Sequence, residues 1–524
     1  MVEMLNSQKL PATWFKLVVL GLLIFSVGCR FGNLAHKVYW HDEVYTSLRI
    51  TAHTRGELVS QAFTGRVLSP QDLQHYQQFA PHRTLLQSLQ FLGQEDAQHP
   101  PLYFIVLRLW AQGWGHSIWV IRCLSVLMSL LMFPALYWLC QELFAEALTA
   151  WIAIALVAVS PLDLLFAQEA REYILWVVMI LLSSAALLQA LRLQTVTSWG
   201  LYALTLVLGL YTFLFTALVM LSHGLYVWLL EGCCWTQRWS AYLLAAVGAS
   251  VAFVPWLFYV VTGLENIQRT THWLSDRLSL GDLLHYWVLN ASRIFIDGNV
   301  GLNNPWEWFL VLAVIGMEGY ALLVLGRHAP PQTSLFVFTL IGVSAIALVV
   351  PDLLGGGQRS IITRYLFPIF LGLQLSVAFL ISHLCTTNPL RGKRWGEAVF
   401  FALIVAGVIS CGLATQAETW WNKSVSADNP AIAQILNQAN HPLLISDAYG
   451  INPGNLISLS YQLHPHVLLL LLPEVSSKPM IPALPRGVQE IFLLNLPAPF
   501  RTQLATQYQR RLTPVIGDLW QLSP

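Results

Sequence analysis

The chain has 524 residues, 56% of them hydrophobic and only 10% charged, and its mean hydropathy is +0.58. A water-soluble domain of this size carries about 25% charged residues, so the surplus apolar surface must face lipid and a polytopic α-helical membrane protein is expected. A net charge of +1 supplies no polyanion footprint, which excludes nucleic acid as the main partner.

The first apolar run, Trp14 to Gly32, follows a short N-terminus with Lys9 and Lys16. It reads as a retained signal-anchor helix. The "SVGC" at Ser26–Cys29 has Ser where a lipoprotein cleavage box needs Leu, Val or Ile.

Residues 33–116 form a long polar loop with six of the 15 His (36, 41, 53, 75, 82, 99). It ends in "QHPPLYFIVLRLWAQGWG", where the Pro pair at 100–101 suits a first helical turn. The helix that follows is about ten to twelve residues long, too short to span, and is read as interfacial.

Further apolar spans are expected near 117–140, 149–167, 173–192, 199–211, 212–230, 241–262, 306–326, 333–350, 361–384 and 396–413, with a turn at Thr212. With the first run these make about eleven transmembrane helices. Lys9, Arg192, Arg238, Arg327, Arg391, Lys393 and Arg394 collect on one side if the N-terminus is cytoplasmic, as the positive-inside rule requires. Residues 33–116, 263–305 and 414–524 then share the outer face.

The tail from Gln416 changes character. "NPAIAQILNQANHPLLISDAYG" reads as a helix, a buried strand and a turn, and "HVLLLLLP" and "QEIFLLNL" as two more strands. A small α/β extracytoplasmic domain is expected at 414–524, beside a transmembrane catalytic domain at 1–413 that includes the 33–116 loop. The seven Cys are mostly inside apolar runs and show no metal-type spacing, and the tail has no Gly-rich dinucleotide fingerprint. No cofactor follows, and metal dependence is open.

Three constellations can carry chemistry. "YWHDEVYTSLR" at 39–49 sets His41, Asp42 and Glu43 beside the first span. The acidic pair can be a helix first turn; it can equally supply a proton acceptor, because a carboxylate losing solvation near an apolar boundary rises in pKa. "AQEAREY" at 167–173 breaks an apolar hairpin with Glu169, Arg171, Glu172 and Tyr173. An arginine there suits a phosphate at the bilayer surface, against the plainer reading of an exposed turn. "GGGQRSIITRYLFP" at 355–368 carries Arg359, Arg364 and Tyr365, as phosphate contacts or as snorkelling anchors. Arg122, His223 and Glu318 inside spans are read as polar contacts between helices.

Taken in order, "HDE", "HPPLYF", "AQEAREY" and "TRYLFP" resemble the polytopic GT-C glycosyltransferases. The likeness is to the group related to protein O-mannosyltransferases, the aminoarabinose transferase of lipid A and the RgtA/B/C/D-like enzymes, over roughly residues 14–413. The resemblance implies a cell-membrane enzyme that transfers a sugar from a polyprenyl-phosphate donor to an acceptor hydroxyl, on a lipid, glycan or protein, with inversion. It makes Asp42 the general base and has Glu43 position the acceptor or orient Asp42. His99 would stand near the donor phosphate, where the aminoarabinose transferases have Lys. Arg171 and Tyr173, with Glu169 in the same motif, would hold the donor, and Arg364 and Tyr365 would line the opposite wall. The competing classes are a lipid or sugar transporter, for which the chain lacks an internal repeat, and a membrane scaffold, which leaves the charged clusters unexplained.

Overall fold

The computed structural model describes residues 13–299, 301–302, 304–387, 391–475 and 483–523. Lys9 and the side chain of Arg391, both counted toward the charge bias, lie outside the described residues. The chain packs as two compact units. One holds the residues up to Gly32, Asp96–Tyr103 and Arg122–Gln416; the other holds Asn33–Glu95, Phe104–Ile121 and the residues from Ala417.

The first unit is helical. Among the described residues eight helices are long and apolar enough to cross a membrane. A ninth span is bent by 61° between Ala147–Ala158 and Pro161–Ala167. The bend falls where Pro161 has no N–H to continue the first helix, and the Ser160 hydroxyl accepts the Asp163 N–H at 3.3 Å to start the second. Two further apolar helices, Val196–Thr212 and Thr216–Leu230, are shorter than a bilayer core requires unaided. The expected turn at Thr212 is there, with Phe213 extended between them. Every expected span thus meets a helix, but eight to nine rather than eleven are of spanning length.

Burial sorts these helices. Tyr173–Leu193 is enclosed almost along its whole length, whereas Thr13–Phe31 turns Leu17, Leu20 and Ile24 outward. Outward apolar side chains on such helices are solvated by lipid, while the backbone satisfies itself within each helix. His223 is a helix-to-helix contact as expected, with its ring nitrogens 3.2 Å from Ser184 Oγ and 3.1 Å from the Tyr202 hydroxyl. All seven cysteines are free.

The second unit is built on a six-stranded sheet in the order β1-β3-β2-β4-β6-β5. The strands are β1 (Val67–Leu68), β2 (Pro442–Asp447), β3 (Leu468–Leu472), β4 (Glu490–Leu494), β5 (Arg511–Ile516) and β6 (Leu519–Ser523). β2 runs parallel to β3 and β4, and the other pairings are antiparallel. Leu443, Ile445, Leu470, Leu493 and Phe500 form its core. β2 to β4 are the three expected strands. The β5–β6 hairpin went unread because Pro514 and a register shift interrupt the alternation in β5.

The packing divides the chain differently from the expected 1–413 and 414–524. Val67 pairs with Leu470 and Leu68 with Leu469, so the first loop supplies an edge strand to the C-terminal sheet. The helix His41–Ile50 is tied to the same unit. The His41 N–H donates to Ser426 Oγ at 3.2 Å, and Ser426 Oγ donates to Asn455 Oδ1 at 2.8 Å. Gly454 lets the two helices close up, since a Cβ there would stand 2.6 Å from Tyr45 and 2.7 Å from the His41 ring.

Candidate active site

In the first unit the chemistry gathers at the break before Tyr173–Leu193. Gln168 secures this turn: its Nε2 donates to the carbonyls of Cys29 and Gly32 at 2.9 and 3.2 Å, at the end of the first helix. Glu169 is buried in the same turn, its carbonyl accepting the Arg171 N–H at 2.8 Å.

Arg171 is the hub. Its Nη2 lies 3.2 Å from His99 Nε2 and donates to the Tyr173 hydroxyl at 3.2 Å. Its guanidinium carbon stands 5.4 Å from the centre of the Tyr173 ring. Arg364 approaches the same ring at 5.5 Å and the Tyr365 ring at 5.7 Å, within cation–π range in both cases. Tyr365 in turn packs on Phe215 with ring centres 4.7 Å apart. His99, Arg171, Tyr173, Arg364 and Tyr365, drawn from three stretches of sequence, are therefore one cluster.

Glu172 belongs to this cluster and was not among the expected site residues, although it sits inside the quoted motif. His99 Nδ1 is 2.7 Å from Glu172 Oε1. Arg171 Nη2 stands 3.3 Å from Nδ1 and 3.2 Å from Nε2 of the same ring, so the imidazole is held between the guanidinium and the Glu172 carboxylate. Burial by itself would raise the Glu172 carboxyl, but Arg171 and His99 outweigh it and pull it down to about 2. The carboxylate is therefore ionised, fully buried, and aligns both His99 and Arg171.

The glycine triplet separates the two arginines that follow it. Gly357, at φ +147°, leaves no room for a Cβ, which would stand 2.6 Å from Asp352 Oδ1. Arg359 folds back on that carboxylate at 3.0 Å and donates to Ser275 Oγ at 3.2 Å. Arg364 instead sits on the turn Thr363–Tyr365. Asn290 clamps this turn, donating through Nδ2 to the Ile361 carbonyl at 2.7 Å and accepting from Thr363 Oγ1 at 2.9 Å.

In the second unit Asp42 and Glu43 occupy the first turn of His41–Ile50, so the helix-start reading holds locally. Neighbours in a helix point about 100° apart, and the two carboxylates meet different surroundings. Glu43 is fully buried; its Oε2 is 3.5 Å from Lys423 Nζ and accepts the Trp40 N–H at 3.4 Å. Lys423 is 1% exposed and lies 5.2 Å from the centre of the Trp40 ring. Asp42 is half-buried, at the surface of its unit. Among the described residues no group of three or more His, Cys, Asp or Glu is placed to hold a metal ion.

No protein-family model and no curated protein matches the chain. Among solved structures it is similar to ArnT from Cupriavidus metallidurans, both bound to undecaprenyl phosphate and apo. The identities are 15% and 13%, the TM-score is 0.50 for each, and each alignment covers 97% of both chains. It is also similar to the Archaeoglobus fulgidus oligosaccharyltransferase tethered with an acceptor peptide, at 11% identity and a TM-score of 0.49, over 87% of this chain and 64% of that one. The end-to-end likeness to ArnT shows that this chain shares that protein's fold.

Proposed function

We propose that this protein is a membrane glycosyltransferase that moves a sugar from a polyprenyl-phosphate donor to an acceptor hydroxyl. The observation that carries the reading is the cluster of buried Arg171 and Tyr173 with half-buried Arg364 and His99, in a fold shared with a protein solved with undecaprenyl phosphate bound. Two guanidiniums on one tyrosine ring suit a phosphate ester, because charge-assisted bonds from arginine grip its oxygens and stabilise the charge that grows as it leaves. Glu172 and His99 hold Arg171 ready for that task; Glu169 lies in the same turn and Tyr365 backs Arg364.

Asp42 takes the role of general base. It accepts the proton of the acceptor hydroxyl, the oxygen forms a bond to the anomeric carbon, and the bond from that carbon to the phosphate oxygen breaks. The electron pair leaves with the polyprenyl phosphate, so no general acid is required, and the anomeric configuration inverts. Burial and the Lys423 pairing of Glu43 support its role as the anchor that orients Asp42. The charge bias of the loops supports a cytoplasmic N-terminus and an outward C-terminal unit. The acceptor is a lipid, glycan or protein hydroxyl.

The test is a transfer assay in membranes with labelled polyprenyl-phosphate sugars, comparing wild type with Asp42→Asn. General-base removal is expected to cost about 10²-fold or more in rate, with donor binding retained. Full activity in the variant would refute the base assignment, and substrate flux without transfer would move the protein to the transporter class.

A further inference from the structure

The first unit also holds an apolar cavity that shares no residue with the cluster described above. It measures about 360 Å³ and is lined by the segment Leu289–Gly298, the start of the helix Pro305–His328 and the helix Arg391–Gln416. Ligand pockets typically occupy about 300–1,000 Å³, and none of His99, Arg171, Tyr173, Arg364 or Tyr365 lines this one.

The wall is formed by Leu310, Val311, Val405, Ala406 and Ile409. Leu310, Val405 and Ile409 are 49%, 56% and 57% exposed, on two helices of spanning length. The groove therefore opens on a surface whose solvent is lipid, and an apolar chain is its natural filling.

Three charges line the same groove: Arg293, Asp297 and Glu307. Arg293 is only 7% exposed, and its Nη1 donates to Asn290 Oδ1 at 3.2 Å. The Asp297 N–H donates to Ser410 Oγ at 3.0 Å, near the end of one spanning helix, and Glu307 sits in the first turn of the other. The ionisable groups thus gather where the groove reaches the helix ends.

Two carboxylates and one guanidinium select among lipid head groups. A head group that carries phosphate and no cation meets an excess of negative charge. A quaternary ammonium balances that charge but has no N–H to give a carboxylate. A primary ammonium beside a phosphate serves all three, with the phosphate on Arg293 and its three N–H donors toward Asp297 and Glu307. We propose that this groove binds an aminophospholipid of the phosphatidylethanolamine kind, as a lipid site separate from the sugar donor's.

The proposal is read by binding and does not depend on the transferase assignment. The full chain, purified in detergent and stripped of lipid, is offered phosphatidylethanolamine, phosphatidylcholine and phosphatidylglycerol of equal chain length, and retention is measured by native mass spectrometry. Phosphatidylethanolamine is expected to be held about tenfold more tightly than the other two, a difference of about 1.4 kcal/mol. Asp297→Asn should erase that preference while leaving the protein folded, and Ala406→Phe, which fills the groove, should lower retention of all three. Equal retention of the three lipids by wild type overturns the head-group assignment. Unchanged preference in Asp297→Asn together with unchanged retention in Ala406→Phe overturns the location. Displacement of phosphatidylethanolamine by undecaprenyl phosphate overturns the separation from the donor.

Discussion

His99 and Glu172 meet at 2.7 Å, ring Nδ1 to carboxylate Oε1, across 73 residues of sequence. The carboxylate is completely buried while the imidazole keeps 20% of its exposure. Of the two, the histidine is the one a substrate can reach, and Glu172 holds it against Arg171. Replacing Glu172 by Gln removes a carboxylate that engages both, and donor affinity should fall by about tenfold, on the scale of one charge-assisted hydrogen bond.

The same carboxyl carries a pH signature. Its folded pKa is held at about 2 against an ordinary 4.5, so its stabilising contribution is present above pH 4.5 and is lost as pH falls toward 2. Melting temperatures of wild type and Glu172→Gln should differ at neutral pH and converge over that window. A constant gap from pH 6 to pH 3, values on the order of those bracketing the window, would count against the ion-pair assignment.

Arg171 serves His99 and the Tyr173 hydroxyl with one nitrogen while its plane lies near the tyrosine ring. Lysine keeps the charge without the planar fork. Binding of labelled polyprenyl phosphate should drop about 10–100-fold in Arg171→Ala and recover only in part in Arg171→Lys, following the cost of charged hydrogen bonds. Unchanged affinity in the alanine variant would remove Arg171 from the donor site.

Asn290 touches both the Ile361 carbonyl and the Thr363 hydroxyl, and so sets the turn on which Arg364 rides. Asn290→Ala should raise the KM for donor about tenfold, one lost positioning contact to a charged group, and change kcat less. Asn290→Asp, which keeps the acceptor for Thr363 but loses the donor to Ile361, should fall between. Steady-state kinetics that show equal losses in kcat and none in KM would point instead to a general loss of folded protein.

Glu43 and Lys423 are a buried pair, 0% and 1% exposed. Removing one partner strands the other charge, so Lys423→Met should destabilise the protein by about 3–5 kcal/mol, and adding Glu43→Gln should restore much of that loss. Strictly additive losses in the double variant would show that the pair does not couple.

His53 reports on the second unit. Burial, followed by the neighbouring Arg83 against the opposing pull of Glu57, takes its pKa from 6.5 to about 4. The folded state therefore keeps the ring neutral where the unfolded chain would protonate it. Stability is complete above pH 6.5 and declines as pH falls toward 4. Thermal melting across that range should show the decline, and His53→Asn should flatten it.

The membrane class and the positions of the helices, though not how many reach spanning length, were legible in the residue order. Each rests on local composition: an apolar run of spanning length, a proline that cannot continue a helix, a carboxylate or arginine where lipid would otherwise be. The same local signal located "AQEAREY" and "TRYLFP", and the three central strands of the C-terminal sheet.

Which of two adjacent carboxylates is accessible could not be read that way. Glu43 is fully buried and meets Lys423 from far along the chain, whereas Asp42 stays half-buried. Arg359 and Arg364 differ because Asp352 captures the first and Tyr173 receives the second. Val67 and Leu68 become an edge strand only because β3 offers them a free ladder. Ion-pair choice, burial and strand pairing depend on partners brought together across long sequence separations, so the tertiary structure alone decided how deeply each member of a quoted motif is buried and what it packs against.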